Sequence, residues 1–225
     1  MTNPPHTAEP GTGRGSEQAV DPEFGSQWWE QHYQGQGTGR GVPSPHLVAE
    51  LAGRPVGAAL DAGCGTGADA VWLARQGWEV TAIDVSPTAV SQAQRFAADE
   101  APDVVGRISW VVADLTAWQP PRQYDLVVSQ YVHPDVPFGE FVARLADAVG
   151  PHGTLFVAGH DHADGYSAAH SPEKAAIGPE AVTSSLSSRL WDVDVAETRT
   201  RVVRHRGTEV PMHDVVVRAH RKASS

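Results

Sequence analysis

Residues 59–70 read ALDAGCGTGADA, with glycines at Gly63, Gly65 and Gly67. An apolar run precedes them, and apolar residues at helical spacing follow at Ala70, Leu73 and Ala74. That is a strand turning into a helix through a loop without side chains. Such a loop lets a backbone approach a bound group closely. Three tenants fit: a nucleotide phosphate, a different adenosine compound, or nothing beyond a tight packing turn. The glycines run G-x-G-x-G, whereas dinucleotide loops run G-x-G-x-x-G, and no GK[ST] follows as in a P-loop.

Working outward, the pattern repeats. EVTAIDV (residues 79–85), RISWVVAD (107–114), YDLVVSQ (124–130) and GTLFVAGH (153–160) read as strands. Between them lie helical stretches: one ending at Gly77, one opening with Ser86 as cap and Pro87 at its first position, and one closing at Gly150. GPEAVTSSLSS (178–188) is a further short helix, and residues 191–203 and 212–222 alternate in period two as a closing hairpin. Apolar strands alternating with helices predict an α/β fold, a doubly wound parallel sheet covered on both faces. Upstream, residues 1–23 are rich in Pro, Gly, Thr and Glu and predict a disordered tail. Residues 24–225 then form one domain, opened over 24–53 by two helices. The first is capped by Ser26 and carries Trp28, Trp29 and Tyr33; the second ends at Gly53. Residues 29 and 33 share a helix face, while 28 points elsewhere. That aromatic face suits a lid, the alternative being a helix simply docked on the core.

Composition narrows the function. The 225 residues carry a formal charge of −10, which argues against a nucleic-acid partner. The basic run RTRVVRHR (199–206) alternates with apolar residues, as a strand with a solvated face does. No apolar run approaches the ~20 residues that span a bilayer. The N-terminus lacks a secretion pattern, so neither a membrane nor export is expected and the location is cytoplasmic. Cys64 is the single cysteine, which rules out internal disulfides and a cysteine-rich zinc site. It reads as a small packing residue in the loop.

In a doubly wound sheet, ligands bind beyond the carboxyl ends of the strands. Three acids end three successive strands there: Asp61, Asp84 and Asp114. Asp61 would repel a pyrophosphate and suits a cation. Asp84, beside Val85, is placed to grip both hydroxyls of a ribose. Asp114 could accept from an adenine amino group while Leu115 covers the ring. Singly, each acid could equally be a cap or turn residue; jointly they outline an adenosine site built for a cation.

With these residues in view, the chain resembles the class I S-adenosylmethionine-dependent methyltransferases. ALDAGCGTG resembles their glycine motif, VTAIDVSPTAV their ribose loop, VVADL their adenine loop, YDLVVSQ their fourth motif and GPHGTLFVAGH their fifth-strand segment. The likeness covers about residues 25–221. It implies a seven-stranded sheet of order 3-2-1-4-5-7-6 with strand 7 antiparallel. It also implies S-adenosylmethionine as cofactor, with S-adenosylhomocysteine as product, and a backbone carbonyl near Ser129 or Gln130 at the methionine end. WWEQHY and residues 67–90 resemble the small-molecule branch around tellurite-resistance and thiopurine methyltransferases, so a small-molecule acceptor and a monomer or homodimer are expected. The Asn/Asp-Pro-Pro-aromatic tetrad of DNA and RNA amino-methylases is missing after strand four. A non-catalytic S-adenosylmethionine or S-adenosylhomocysteine binder of the same fold is the alternative.

For catalysis, the candidates lie after strands four and five. SQYVHPD contributes Tyr131 and His133, the latter as a base near neutral pH. GHDHADGY contributes His160 and His162, for acid–base work, pocket polarity or plain loop. A metal on this H-x-H pair is the weaker reading, and none is expected.

Overall fold

The computed structural model describes residues 25–35, 41–161, 176–205 and 208–223. The expected tail (residues 1–23) and His162 lie outside them. The element order is α1 (Ser26–Gly35), α2 (Pro45–Leu51), β1 (Ala58–Ala62), α3 (Ala68–Arg75), β2 (Glu79–Asp84), α4 (Pro87–Glu100), β3 (Ile108–Val112), β4 (Tyr124–Gln130), α5 (Phe138–Ala148), β5 (Val149–Asp161), β6 (Ala176–Ile177), α6 (Pro179–Thr183), β7 (Trp191–His205) and β8 (Thr208–Arg221).

The sheet runs β3-β2-β1-β4-β5-β8-β7. The first five strands are parallel, β8 is antiparallel to β5, and β7 is antiparallel to β8. Counting the hairpin as strands six and seven, this is the expected order. The short β6, which the sequence reading lacked, adds to it by pairing with the end of β5. No helix among the described residues is long and apolar enough to cross a membrane.

Each central strand feeds two cores, because successive side chains point to opposite faces. Leu60, Val127, Leu155 and Val157 meet Phe141 and Leu145 of α5 on one face. Ala59, Leu126, Val128 and Phe156 meet Leu47 of α2 and Leu73 of α3 on the other. All these strand residues are essentially inaccessible, which explains why the strands read as unbroken apolar runs.

Local rules set the helix ends, with two departures. Ser86 caps α4, its hydroxyl accepting from Ala89 N–H at 3.1 Å. Ser26 is not a cap but the first residue of α1, and Gly25 carbonyl accepts from the Trp28 and Trp29 amides. Nor does α5 wait for Gly150. It stops at Ala148, because Val149 is extended and already paired with Tyr124 in the sheet. Sheet pairing there overrides the glycine signal.

Gly67 precedes α3 at φ +87°, where an added Cβ would lie 2.8 Å from Ala93 Cβ and 2.8 Å from the Trp110 ring. Packing of α3 against α4 and β3 thus requires a glycine here. Gly67→Ala therefore carries both left-handed strain and overpacking, and is expected to cost about 2–4 kcal/mol in urea denaturation. A stability equal to wild type would refute the packing role.

Candidate functional site

Strand order reverses between β1 and β4, and the carboxyl ends of β1 to β5 open there into a cleft of about 660 Å³. That volume lies in the range of small-molecule and cofactor sites. Its floor is the glycine loop. Gly63 and Gly65 have φ +86° and +51°, and the amides of Gly63 and Cys64 both donate to Ile83 carbonyl at 2.8 Å. The loop is thereby clamped onto the end of β2. Cys64 is buried in it, and burial pushes its thiol well above the usual range, leaving an inert packing residue.

Asp84 ties the loop to the β2–α4 turn: one carboxylate oxygen accepts from Gly65 N–H and the other from Ser86 N–H, each at 2.9 Å. Asp61 is 4% exposed, accepts from Ala70 N–H, and leaves Oδ2 buried with no hydrogen-bond partner. A third carboxylate, Asp69 in the first turn of α3, was not singled out in the sequence. It accepts from Ser44 N–H and from Gln130 Nε2, both at 2.7 Å. Burial raises the pKa values of all three, and Asp61 is raised further by Asp69 and Asp84. Asp69 reaches about 6.

Val85, Asp114 and Leu115 also line the cleft. Asp114 is exposed and turns one oxygen onto Thr116, 2.8 Å from its N–H and 2.7 Å from its hydroxyl, leaving the other oxygen unengaged by that turn. The Gln130 side chain is on the wall, whereas that of Ser129 is buried, because successive residues of β4 face opposite ways; the role expected at these two positions was a backbone carbonyl, which side-chain direction does not touch. Gly67 likewise faces packing rather than the cleft.

Helix α1 forms the opposite wall. None of its residues is fully buried, so it is not a core helix. Glu30 fastens it to the start of α4, accepting from Ser86 hydroxyl at 2.6 Å, Thr88 hydroxyl at 2.5 Å and Thr88 N–H at 3.1 Å. Those hydrogen bonds lower the Glu30 pKa to about 2. Trp29 stacks toward Tyr33 and, at 6.0 Å between ring centres, on His133. Trp28 does not point away as expected. It stacks on His32 one turn later and lines the cleft too.

On the acceptor side, Tyr131 holds the left-handed φ of +55°, rare for a bulky residue, where the chain leaves β4. His160, from β5, lies 4.8 Å from its ring. The expectation that His133 titrates near neutrality does not hold. Burial first, and the charge on His160 second, lower it to about 4, so it is neutral at physiological pH. Sequence reading also missed Asp214 on β8, which is wholly buried and meets His46 at 2.9 Å, His160 at 3.4 Å, and Arg201. An acid bordering the apolar run Val215–Val217 in a strand between two others was the available signal. Among the described residues no cluster of three metal-ligating side chains occurs.

Residues 59–153 match the family model described as "Methyltransferase domain". A ubiquinone biosynthesis O-methyltransferase of Schizosaccharomyces pombe is 35% identical over 98 residues, covering 43% of this chain and 35% of that protein. The chain thus spans only about a third of the length of that relative. The N-methyltransferase NodS of Bradyrhizobium japonicum, solved with S-adenosylhomocysteine, superimposes with a TM-score of 0.65 at 19% identity, covering 91% of this chain and all of NodS. TehB of Haemophilus influenzae gives 0.61 at 16% identity, covering 86% and 67%. The stretch from β1 to the first part of β5 is thus similar to that domain family, and the superimposed structures share the fold of this chain.

The raised carboxyl groups have a consequence for stability. Between pH 3.8 and about 6 the unfolded chain has released the Asp69 proton while the folded chain keeps it, so this group makes stability fall as pH rises through that window. Asp69→Asn is expected to flatten that slope in denaturant titrations at pH 4, 5, 6 and 7; an unchanged slope would show that Asp69 does not titrate late.

Proposed function

We propose that this protein transfers a methyl group from S-adenosylmethionine to a small molecule. The observation that carries this reading is the unpartnered Asp61 Oδ2, buried beside Asp69 and Asp84 with no cation among the described residues in contact. Buried charge of one sign calls for a charge of the other. A pyrophosphate would be repelled here, whereas the ammonium and sulfonium of S-adenosylmethionine complete the site. The cleft residues fit the rest of that molecule. Asp84, with its two oxygens held in place by backbone amides, keeps a lone pair on each for the ribose hydroxyls. Leu115 and Val85 flank the adenine, Asp114 faces its amino group, and Gln130 lies toward the methionine end.

Bound there, S-adenosylmethionine supplies a methyl group already activated by its sulfonium. The protein's part is then to align the acceptor and exclude water. The aromatic wall of α1, with Trp28, Trp29 and Tyr33, acts as the lid of residues 24–53. A Cβ on Gly65 would sit 2.9 Å from the Tyr33 hydroxyl, so lid and loop meet across the cleft. The charge of −10 supports a small-molecule acceptor over nucleic acid. The small-molecule branch, a cytoplasmic location and a monomer or homodimer belong to the same reading.

Two measurements test it. S-adenosylmethionine should bind in calorimetry, and the protein should form S-adenosylhomocysteine with some member of a panel of thiols, phenols, amines and halides. Tight binding without turnover on any acceptor would favour the non-catalytic binder. Asp84→Ala is expected to weaken binding by ~1.5–3 kcal/mol, the loss of charged hydrogen bonds; unchanged affinity would refute the ribose role.

A further inference from the structure

We infer that His160 is the general base of this protein, held in the productive tautomer by Asp214 as a positioning residue, and that the acceptor is therefore a hydroxyl or thiol compound that must lose a proton to react. This rests on the methyl-transfer reading and adds the acceptor class to it. His160 and Asp214 are a directly opposed pair across the antiparallel β5–β8 ladder. His160 Nδ1 lies 3.4 Å from Asp214 Oδ1, and both atoms are buried without a hydrogen-bond partner. The carboxylate oxygen is thus the polar group that faces Nδ1 at ion-pair distance, a few tenths of an ångström beyond a hydrogen bond. With Nδ1 turned inward, Nε2 is the ring nitrogen left for the cleft that His160 lines, and the side chain is 17% exposed.

The surroundings of Asp214 keep it ionised. It is faced by His46 from α2, His160 from β5, Arg201 from β7 and Tyr131 from the end of β4, and hydrogen bonds from His46 and Arg201 to its other oxygen help hold its carboxyl below the usual range despite burial. An ionised partner on Nδ1 stabilises the imidazolium that forms when Nε2 takes a proton. His133, the other imidazole on the cleft, is buried against Trp29, and burial holds its pKa well below the ordinary range. The step balances as follows. The acceptor O–H or S–H proton passes to His160 Nε2, the electron pair left on oxygen or sulfur forms the bond to the methyl carbon, the old carbon–sulfur bond breaks with its pair going to that sulfur, and His160 returns the proton to water. A neutral amine already has a free pair and does not need this device before attack.

The first test needs no cofactor. In histidine-labelled protein, long-range ¹H–¹⁵N spectra should show His160, assigned by its loss in His160→Gln, with Nδ1 protonated and Nε2 bare. Asp214→Asn should abolish that preference. A His160 protonated on Nε2 in the wild type would overturn the proposal. In turnover assays, phenols or thiols should be methylated in preference to amines. His160→Gln should lose at least 100-fold in kcat with unchanged S-adenosylmethionine affinity, and Asp214→Asn should move the inflection of the pH–rate profile downward. Amine-only turnover, or a wild-type rate in His160→Gln, would overturn it. Because Asp214 also serves His46 and Arg201, its variant is at risk of not folding; the wild-type tautomer and His160→Gln decide the matter without it. Failure of S-adenosylmethionine to bind the wild type would sink the methyl-transfer reading instead, and the tautomer would still report on the pair.

Discussion

Three carboxylates crowd the ends of β1 and β2 and the start of α3, and among the described residues no cation pairs with them. Folding buries Asp61, Asp69 and Asp84 against one another at a cost in desolvation that shows as raised pKa values. The rest of the site is arranged to tolerate this. Backbone amides from the glycine loop and the α4 turn satisfy Asp84, Gln130 and Ser44 satisfy Asp69, and only Asp61 keeps an unmet oxygen. Stability sacrificed at one point is how a fold keeps a site ready for a ligand of opposite charge.

The parallel half of the sheet and the antiparallel hairpin divide the work. β1 to β3 and their following loops form the end that suits an adenosine compound. β4, β5 and β8 form the other end, with Tyr131, His160 and Asp214. Helix α2 links the second end to the scaffold. His46 reaches Asp214, while Glu50 pairs with Arg199 at 2.6 Å and with Arg218. Helix α1 spans both ends through its aromatic face. Its attachment to the start of α4 through Glu30 is polar.

Most of the fold was readable because buried parallel strands write themselves as apolar runs, and Ser86, Pro87 and Gly77 punctuate them. The cofactor-side residues were readable for a related reason. Asp61 and Asp84 end consecutive strands, so topology alone carries them to one edge. The misreadings have local causes. Gly150 lost to sheet pairing at Val149. Trp28 was assigned by helix periodicity, which does not register that an indole stacked on His32 still reaches the cleft.

The acceptor side was another matter. Asp214 is 54 residues from His160 in the chain. Only the pairing of β8 with β5 sets them opposite each other, and no spacing rule connects them. His133 and His160 look alike in sequence, each a histidine after a strand, yet one is buried against an indole and the other against a carboxylate. The sequence by itself determined the sheet, the glycine loop and the acids at its rim, because these depend on periodicity and on strand ends. Tertiary structure decided that His160 stands opposite Asp214 and that Asp61 keeps an unmet oxygen, because these follow from neighbours that the chain brings together only when it folds.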